Sequence, residues 1–394
     1  MKKLSFILVA MCLWACSAED VETLPSGASQ QSESEYLRSP QDAMKIAEGY
    51  FASLDEGTRA SMQPLSTSVI RGGQRTRAAL GTDTLSYVVQ RGDDDGFVIV
   101  AADSRVDELL AYSPTGRFSY EESDDDVVYA EFVSNIEPYI EKVTEAPVST
   151  TDSLDDGVFV WDSFVVTDEA KWSQLSPYNY YVNIEHPDCP VGCGPVAMGM
   201  AMMYCTDTLT YHGEFFDFQK IRYCMNFSSD QVPDDGFYTQ FSANRRIAKL
   251  LYYIGEDVGV SYGTTISTCE TLAMCDYLYE VNLSLDYCME NYEPKKLAKS
   301  MNEHQSLAVI VGNASSNCHA WLIDGYRFSY PHLRTSEPLD TTYMQNVALH
   351  CNWGAGGSSN GFYSGNVLHG WTPKVYMEVG TYRKSKYNSV IKLK

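Results

Sequence analysis

A cysteine between two glycines, Cys193 in the run CPVGCGPVAMGMAMMY, constrains this chain more than any other feature. Pro195 and an apolar stretch of helical spacing follow it, which places the thiol at a helix N-terminus. There the helix dipole and the unpaired N–H groups favour thiolate, the form that attacks a carbonyl. Two segments far downstream carry matching chemistry: a histidine in CHAWLIDGY and an Asn–Trp pair in HCNWGAGG.

A cysteine nucleophile needs a base, a group that orients the base, and donors for the oxyanion. His319 follows Cys193 by 126 residues and falls on an expected strand. Paired with a thiol, it gives a thiolate–imidazolium couple near neutral pH. Asn352 lies 33 residues further on. Its amide oxygen would bond the other ring nitrogen and fix the tautomer, and Trp353 would cover that bond. Gln174, 19 residues before Cys193, would donate to the oxyanion together with the backbone N–H of Cys193. Each residue has a plainer reading: a buried apolar cysteine, a satisfied core histidine, an ordinary surface glutamine. The competing bases are His186, His212, His304, His332, His350 and His369. Of these only His350 also falls within a clear strand, on the face expected for Asn352. The order Cys, His, Asn points to the acyl-transfer chemistry of a cysteine peptidase, with no metal or organic cofactor.

Charge divides the chain. Residues 1–170 hold 31 Asp/Glu against 12 Lys/Arg, whereas residues 171–394 hold 21 against 17. The acidity therefore belongs to the first part, and no basic face suited to nucleic acid is present. Lys2 and Lys3 precede an apolar stretch, Leu4 to Trp14, of signal-peptide length. It ends in Leu13-Trp14-Ala15-Cys16, which resembles a bacterial lipobox, so residues 1–15 read as a signal with Cys16 lipidated. Export, and an anchor to a bacterial outer membrane or cell surface, follow. Residues 16–38 read as a flexible tether.

Residues 39–145 read as a small α+β unit with no cysteine and no histidine. Ser39-Pro40 opens a helix to residue 54, a polar stretch with Arg71, Arg75 and Arg77 reads as loop, strands cover 85–90 and 96–104, and a helix covers 127–144. Residues 146–170 read as a linker with a processing site, although WDSFVV within them has strand character. Residues 171–394 form a second α+β domain: helices at 193, 239–254 and 293–303, then antiparallel strands at 307–312, 318–328 and 346–353. Of the eleven cysteines, Cys12 leaves with the signal and Cys16 takes lipid. Eight besides Cys193 are available for pairing in an oxidising compartment, including a Cys318–Cys351 cross-strand disulfide. They are scattered, without the repeated C-x-x-C pairs of a zinc site.

At the residues singled out above, the sequence resembles the streptopain family of bacterial cysteine peptidases. The matching stretches are Trp172–Gln174 with Pro177–Asn179, Cys189-Pro190, Gly192-Cys193 with the Ala/Met-rich helix, HAWLIDGY at 319–326 and NWGAGGSSNGFY at 352–363. SPQDAMKIAEGYF and GFVIVAADSRVDELLAYSPTG resemble that family's propeptide. The resemblance implies a papain-like domain of helices plus antiparallel sheet, preceded by an inhibitory pro-domain removed by self-cleavage. It gives Cys193 the role of nucleophile and His319 that of base and acid, with Asn352 and Trp353 supporting the histidine and Gln174 lining the oxyanion hole. Protein or peptide substrates follow. Residues 354–361 have the composition of a mobile rim over the cleft. The chain departs from the family pattern after Tyr262-Gly263, where Thr264 to Cys269 replace a Gly/Ser-rich stretch beside the cleft. Two other readings remain: a cell-wall peptide amidase with a Cys/His site, and an inactive surface-binding lipoprotein.

Overall fold

The structure, a computed structural model, describes residues 36–54, 63–72, 83–119, 127–145, 159–166, 169–225, 240–283, 290–313, 318–331, 340–369 and 375–381. The expected signal and lipidated Cys16 lie outside the described residues, as do His332 and Cys288.

The described strands form an eleven-stranded sheet that runs through both expected domains, beside a separate two-stranded hairpin. The first four strands are β1 (Leu65–Arg71), β2 (Thr84–Arg91), β3 (Phe97–Ala101) and β4 (Leu109–Ser113). They form an antiparallel meander. Strand β1 falls where the polar stretch reads as loop. It is an edge strand with one fully buried side chain, Ile70, so it lacks the apolar alternation that announces a half-buried strand. The meander continues into the second domain: β4 pairs with β12 (Gly361–Ser364) through Phe362 opposite Tyr112 and Tyr363 opposite Ala111. The order then runs through β11 (Gln345–Asn352), β10 (Cys318–Pro331), β9 (Ser306–Asn313) and β13 (Val375–Thr381) to β8 (Glu290–Asn291).

The stretch expected as linker contains β5 (Phe159–Val165), which pairs antiparallel with the second half of β10 from Gly325 to Pro331. Residues 159–165 therefore belong to the second domain's sheet. At the other end, Tyr36 to Arg38 fall in the expected tether but are docked. The Arg38 guanidinium donates to the carbonyls of Ala101 and Asp103, and Leu37 bridges to Asp103.

Alternation along β9 and β10 feeds two of the three apolar clusters among the described residues. On β9 and β10, Leu307, Val309, Val311, Ala320 and Leu322 pack with the helix Cys193–Cys205. Ala308, Ile310, Trp321 and Ile323 face the other way, toward Leu297, Ala298 and Met301 of the helix Pro294–His304 and toward Phe132, Ile136 and Ile140 of the helix Val127–Glu145. Strands buried on both faces read as continuous apolar runs, as LAVIVG does. The helix Cys193–Cys205 is buried at every position after Cys193, which its uniformly apolar composition requires. The helix Pro40–Leu54 begins as Ser39-Pro40 implies. The Asp42 N–H donates to Ser39 Oγ, and the Ser39 N–H donates to the Asp42 carboxylate, so each satisfies the other's free donor.

Among the described residues the fold is α+β, with helices against an antiparallel sheet and a smaller α+β unit in front. No described helix is long and apolar enough to cross a membrane.

Candidate active site

Cys193 opens its helix behind Gly192, whose φ of 97° lies where a side chain is strained. Gly192, the N-cap, has no side chain to cap this N-terminus, and the positive end of the helix dipole lies at the thiol. The preceding residues are fixed by three hydrogen bonds. Asn179 Nδ2 donates to the Cys189 carbonyl (3.0 Å), Ser267 Oγ donates to the Pro190 carbonyl (2.6 Å), and the Val191 N–H donates to the Gln174 carbonyl (2.9 Å). The last bond ties the Gln174 backbone to Val191, two residues before Cys193. Ser267, unremarked in the sequence, holds this approach; only its place in the 264–269 stretch hinted at a cleft-side position.

Cys269, at the end of that stretch, lies beside Cys193. A Cβ built on Gly194 would stand 2.9 Å from Cys269 Sγ. Burial pushes the Cys269 thiol up to about 12, and the neighbouring Cys193 adds to the shift. Cys269 is therefore held as a neutral thiol at neutral pH.

His319 is 3% exposed and shares a face of β10 with Trp321. Its ring lies nearly parallel to the indoles of Trp321 and Trp353, with centroids 6.1 and 6.3 Å away. Nε2 lies 3.0 Å from the Trp353 carbonyl. A carbonyl only accepts, so Nε2 carries the proton and the lone pair of the neutral ring is on Nδ1.

The orienting group thus differs from the one expected. Asn352 does not bond the ring: its Nδ2 donates to the Ala170 carbonyl (2.8 Å), and its Oδ1 accepts from the Gly354 N–H (3.3 Å). The chain turns at Trp353–Gly354, and this turn presents the main-chain oxygen of Trp353 to the histidine. The Gly354 N–H and the Trp353 C=O belong to one peptide plane, so Asn352 fixes the carbonyl that fixes the ring. Trp353 is 1% exposed, and its indole lies beside the imidazole rather than over the expected Asn352–His319 bond. His350 is no rival base. It is buried, with Nδ1 2.6 Å from the Asp324 carboxylate.

The expected cross-strand disulfide is absent. Cys351 stands opposite Ile323 on β10, whereas Cys318 pairs along β9 with Asn313. No disulfide joins any two of the eight described cysteines, and five of them are buried, where they serve as small apolar side chains. Among the described residues no cluster of His, Cys, Asp or Glu is arranged to hold a metal ion.

Their surroundings move the two histidines in opposite senses. Burial lowers His319 to about 4, against the raising influence of the Trp353 carbonyl. Burial also opposes charge on His350, but the attraction and hydrogen bond of Asp324, with Glu169 behind them, outweigh it and raise that group. Below the ordinary histidine pKa the unfolded chain binds a proton that folded His319 refuses until about pH 4. Stability therefore falls as pH drops between about 6.5 and 4, by up to ~3 kcal/mol. His350 acts oppositely, its contribution being lost as pH rises through its raised pKa. Urea unfolding of the full chain carrying Cys193→Ala should show the acid loss, and adding His319→Asn should flatten it.

Residues 354–361, expected as a mobile rim, are held by both domains. The Gly356 N–H donates to the Trp172 carbonyl, the Ser359 N–H donates to the Arg117 carbonyl, and the Ser119 N–H donates to Ser359 Oγ. Residues 117–119 of the first unit thus hold the loop that follows Trp353.

Residues 34–137 match the Spi protease inhibitor family model, and residues 172–363 match the Peptidase C10 family model. The chain is 26% identical over 379 residues to thiol protease/hemagglutinin PrtT of Porphyromonas gingivalis, covering 83% of this chain and 38% of that protein. It is 22% identical over 358 residues to streptopain of Streptococcus pyogenes, covering 81% of each. A solved fragment of prointerpain A from Prevotella intermedia is similar at 17% identity and a TM-score of 0.47, covering 81% of this chain and 100% of that one. An inhibitor-type domain and a thiol-peptidase domain in tandem, with the cysteine at its helix start and the histidine on its strand, place the chain in the streptopain (C10) family of cysteine-type peptidases.

Proposed function

We propose that the chain is an exported cysteine endopeptidase made as a zymogen, in which Cys193 and His319 carry the chemistry. The observation that carries this reading is the pairing of a thiol at an uncapped helix N-terminus with a histidine whose Nε2 is committed to the Trp353 carbonyl, leaving Nδ1 for the proton. In the assembled site Nδ1 takes the Cys193 proton, and the thiolate attacks the peptide carbonyl carbon. The oxyanion that forms is held by the Cys193 N–H and the Gln174 amide. The imidazolium then gives its proton to the leaving amine as the C–N bond breaks, which leaves a thioester on Cys193. Water attacks the thioester with His319 as base, releasing the acid and the thiol. The chain's own residues suffice, without metal or organic cofactor.

Inhibition by the pro-domain is supported by the inhibitor-type family match of residues 34–137 and by the bonds that Arg117 and Ser119 make to Ser359, in the loop that follows the Trp353 turn. The expected cut falls between the helix Val127–Glu145 and β5, because β5 is built into the peptidase sheet. Lipidation of Cys16 would leave the anchor on the pro-domain side, so that cut would release the peptidase.

The test follows the full chain under reductant with casein and with peptidoglycan as substrates. Casein hydrolysis that requires Cys193 supports the endopeptidase; peptidoglycan hydrolysis without casein hydrolysis gives the site to a cell-wall amidase. Labelling with a lipid precursor, in wild type and Cys16→Ser, decides the anchor.

A further inference from the structure

We infer that Glu169 and Asn360 are positioning residues for His319, acting through the backbone of Trp353; this rests on the proposed role of His319. Asn360 is 4% exposed and 41 residues from the histidine in sequence. Its Oδ1 accepts from the Trp353 N–H at 3.0 Å, and its Nδ2 donates to Glu169 Oε1 at 2.9 Å. A main-chain donor on one side and a carboxylate on the other fix which end of the amide is oxygen. From the carboxylate the bonds run without a gap: Glu169 to Asn360, Asn360 to the Trp353 N–H, and the Trp353 carbonyl to His319 Nε2.

Two peptide planes meet at Trp353. Asn352 holds the one that carries the carbonyl, and Asn360 holds the one that carries the N–H. With both planes fixed, the direction of the carbonyl is set, and with it the ring's tautomer and tilt. Residues 169 and 170 are the common footing. The Ala170 carbonyl takes Asn352, the Glu169 carboxylate takes Asn360, and the Ala170 N–H donates to the Tyr204 hydroxyl on the nucleophile's own helix at 2.6 Å. The same two residues therefore tie the histidine platform to the helix that carries Cys193. A cut ahead of β5 leaves them in the mature enzyme. The groups facing Glu169 are Asn360, His350, Asp324 and Lys171; burial is the largest influence on its carboxyl and raises its pKa.

The test measures kcat per titrated active site against pH in processed Glu169→Ala and Asn360→Ala. It also follows the His319 ring titration by NMR in full chains that carry Cys193→Ala. A carbonyl aligned on Nε2–H stabilises the imidazolium, so loosening it lowers the pKa of His319. We expect the alkaline limb of kcat and the ring titration both to move down, by about half a pH unit. We expect kcat to fall about tenfold, with KM little changed. Glu169→Gln keeps an oxygen for the Asn360 N–H and should recover most of the loss. A residue that only held the fold would lower the titrated active fraction and leave both pH readings in place. Unmoved limb and ring titration overturn the inference, as does a Glu169→Gln variant no better than Glu169→Ala. Wild-type chain without Cys193-dependent hydrolysis would instead remove the proposed function, and the ring titration would still decide the positioning.

Discussion

Replacing Cys193 with alanine should lower hydrolysis by at least about 10⁴-fold, the loss expected when the nucleophile of an acyl-transfer set is removed. It should also leave the chain at full length under reductant. The substitution deletes one sulfur at a half-buried position and leaves Gly192, the helix start and the three hydrogen bonds to residues 189–191 in place. Folding should therefore be unchanged, and loss of activity can be assigned to chemistry. Cys269 makes the experiment sharper. It is a second thiol beside the first, but burial holds it neutral, so it cannot replace the missing nucleophile. Intact mass after treatment with a thiol-directed peptidase inhibitor should show one adduct on wild type and none on Cys193→Ala. Persistent hydrolysis by Cys193→Ala would give the reaction to another residue.

Gly361→Ala should free the pro-domain while leaving the mature enzyme as active as wild type. A Cβ at residue 361 would stand 2.8 Å from the Tyr112 carbonyl oxygen, 3.0 Å from Ser113 Cβ and 3.2 Å from Phe97 Cζ. All three atoms belong to the pro-domain, and the nearest is backbone that cannot rotate aside. Overpacking of this kind costs about 1–3 kcal/mol, a weakening of roughly 5- to 150-fold in the hold of the cleaved pro-domain on the peptidase. Gel filtration of the nicked full-length chain reads it directly: the variant should shed the pro-fragment where wild type retains it. Equal retention would mean that the β4–β12 contact is not what holds the two together.

The chemistry-bearing positions were legible because they are marked by local rules. Glycine and proline around Cys193 announce a helix start, and apolar runs announce strands buried on both faces. What the sequence hid is what depends on backbone atoms or on partners far away. The carbonyl that orients His319 belongs to Trp353, and every residue has a carbonyl, so composition points to the neighbouring Asn352 instead. Asn352 does contribute, but one step back, by fixing that peptide. Glu169 and Asn360 are ordinary residues in an expected linker and a Gly-rich loop, joined only by the fold. Strand β1 was hidden because an edge strand has little apolar side to show. The Cys318–Cys351 pairing failed on register, which spacing along one chain does not fix.

The sheet that passes from β4 into β12 has a consequence for the enzyme once its pro-domain departs. The inhibitor is then removed as a neighbouring strand is, and β12 is left as a new edge with backbone donors and acceptors facing water. Such an edge invites another strand, whether from a second molecule or from an extended polypeptide. Here it spans only Gly361–Ser364, and a helix begins at Gly365. Brevity of that edge limits how much of a passing chain it can hold, so maturation exposes a short docking ledge rather than a template for polymerisation.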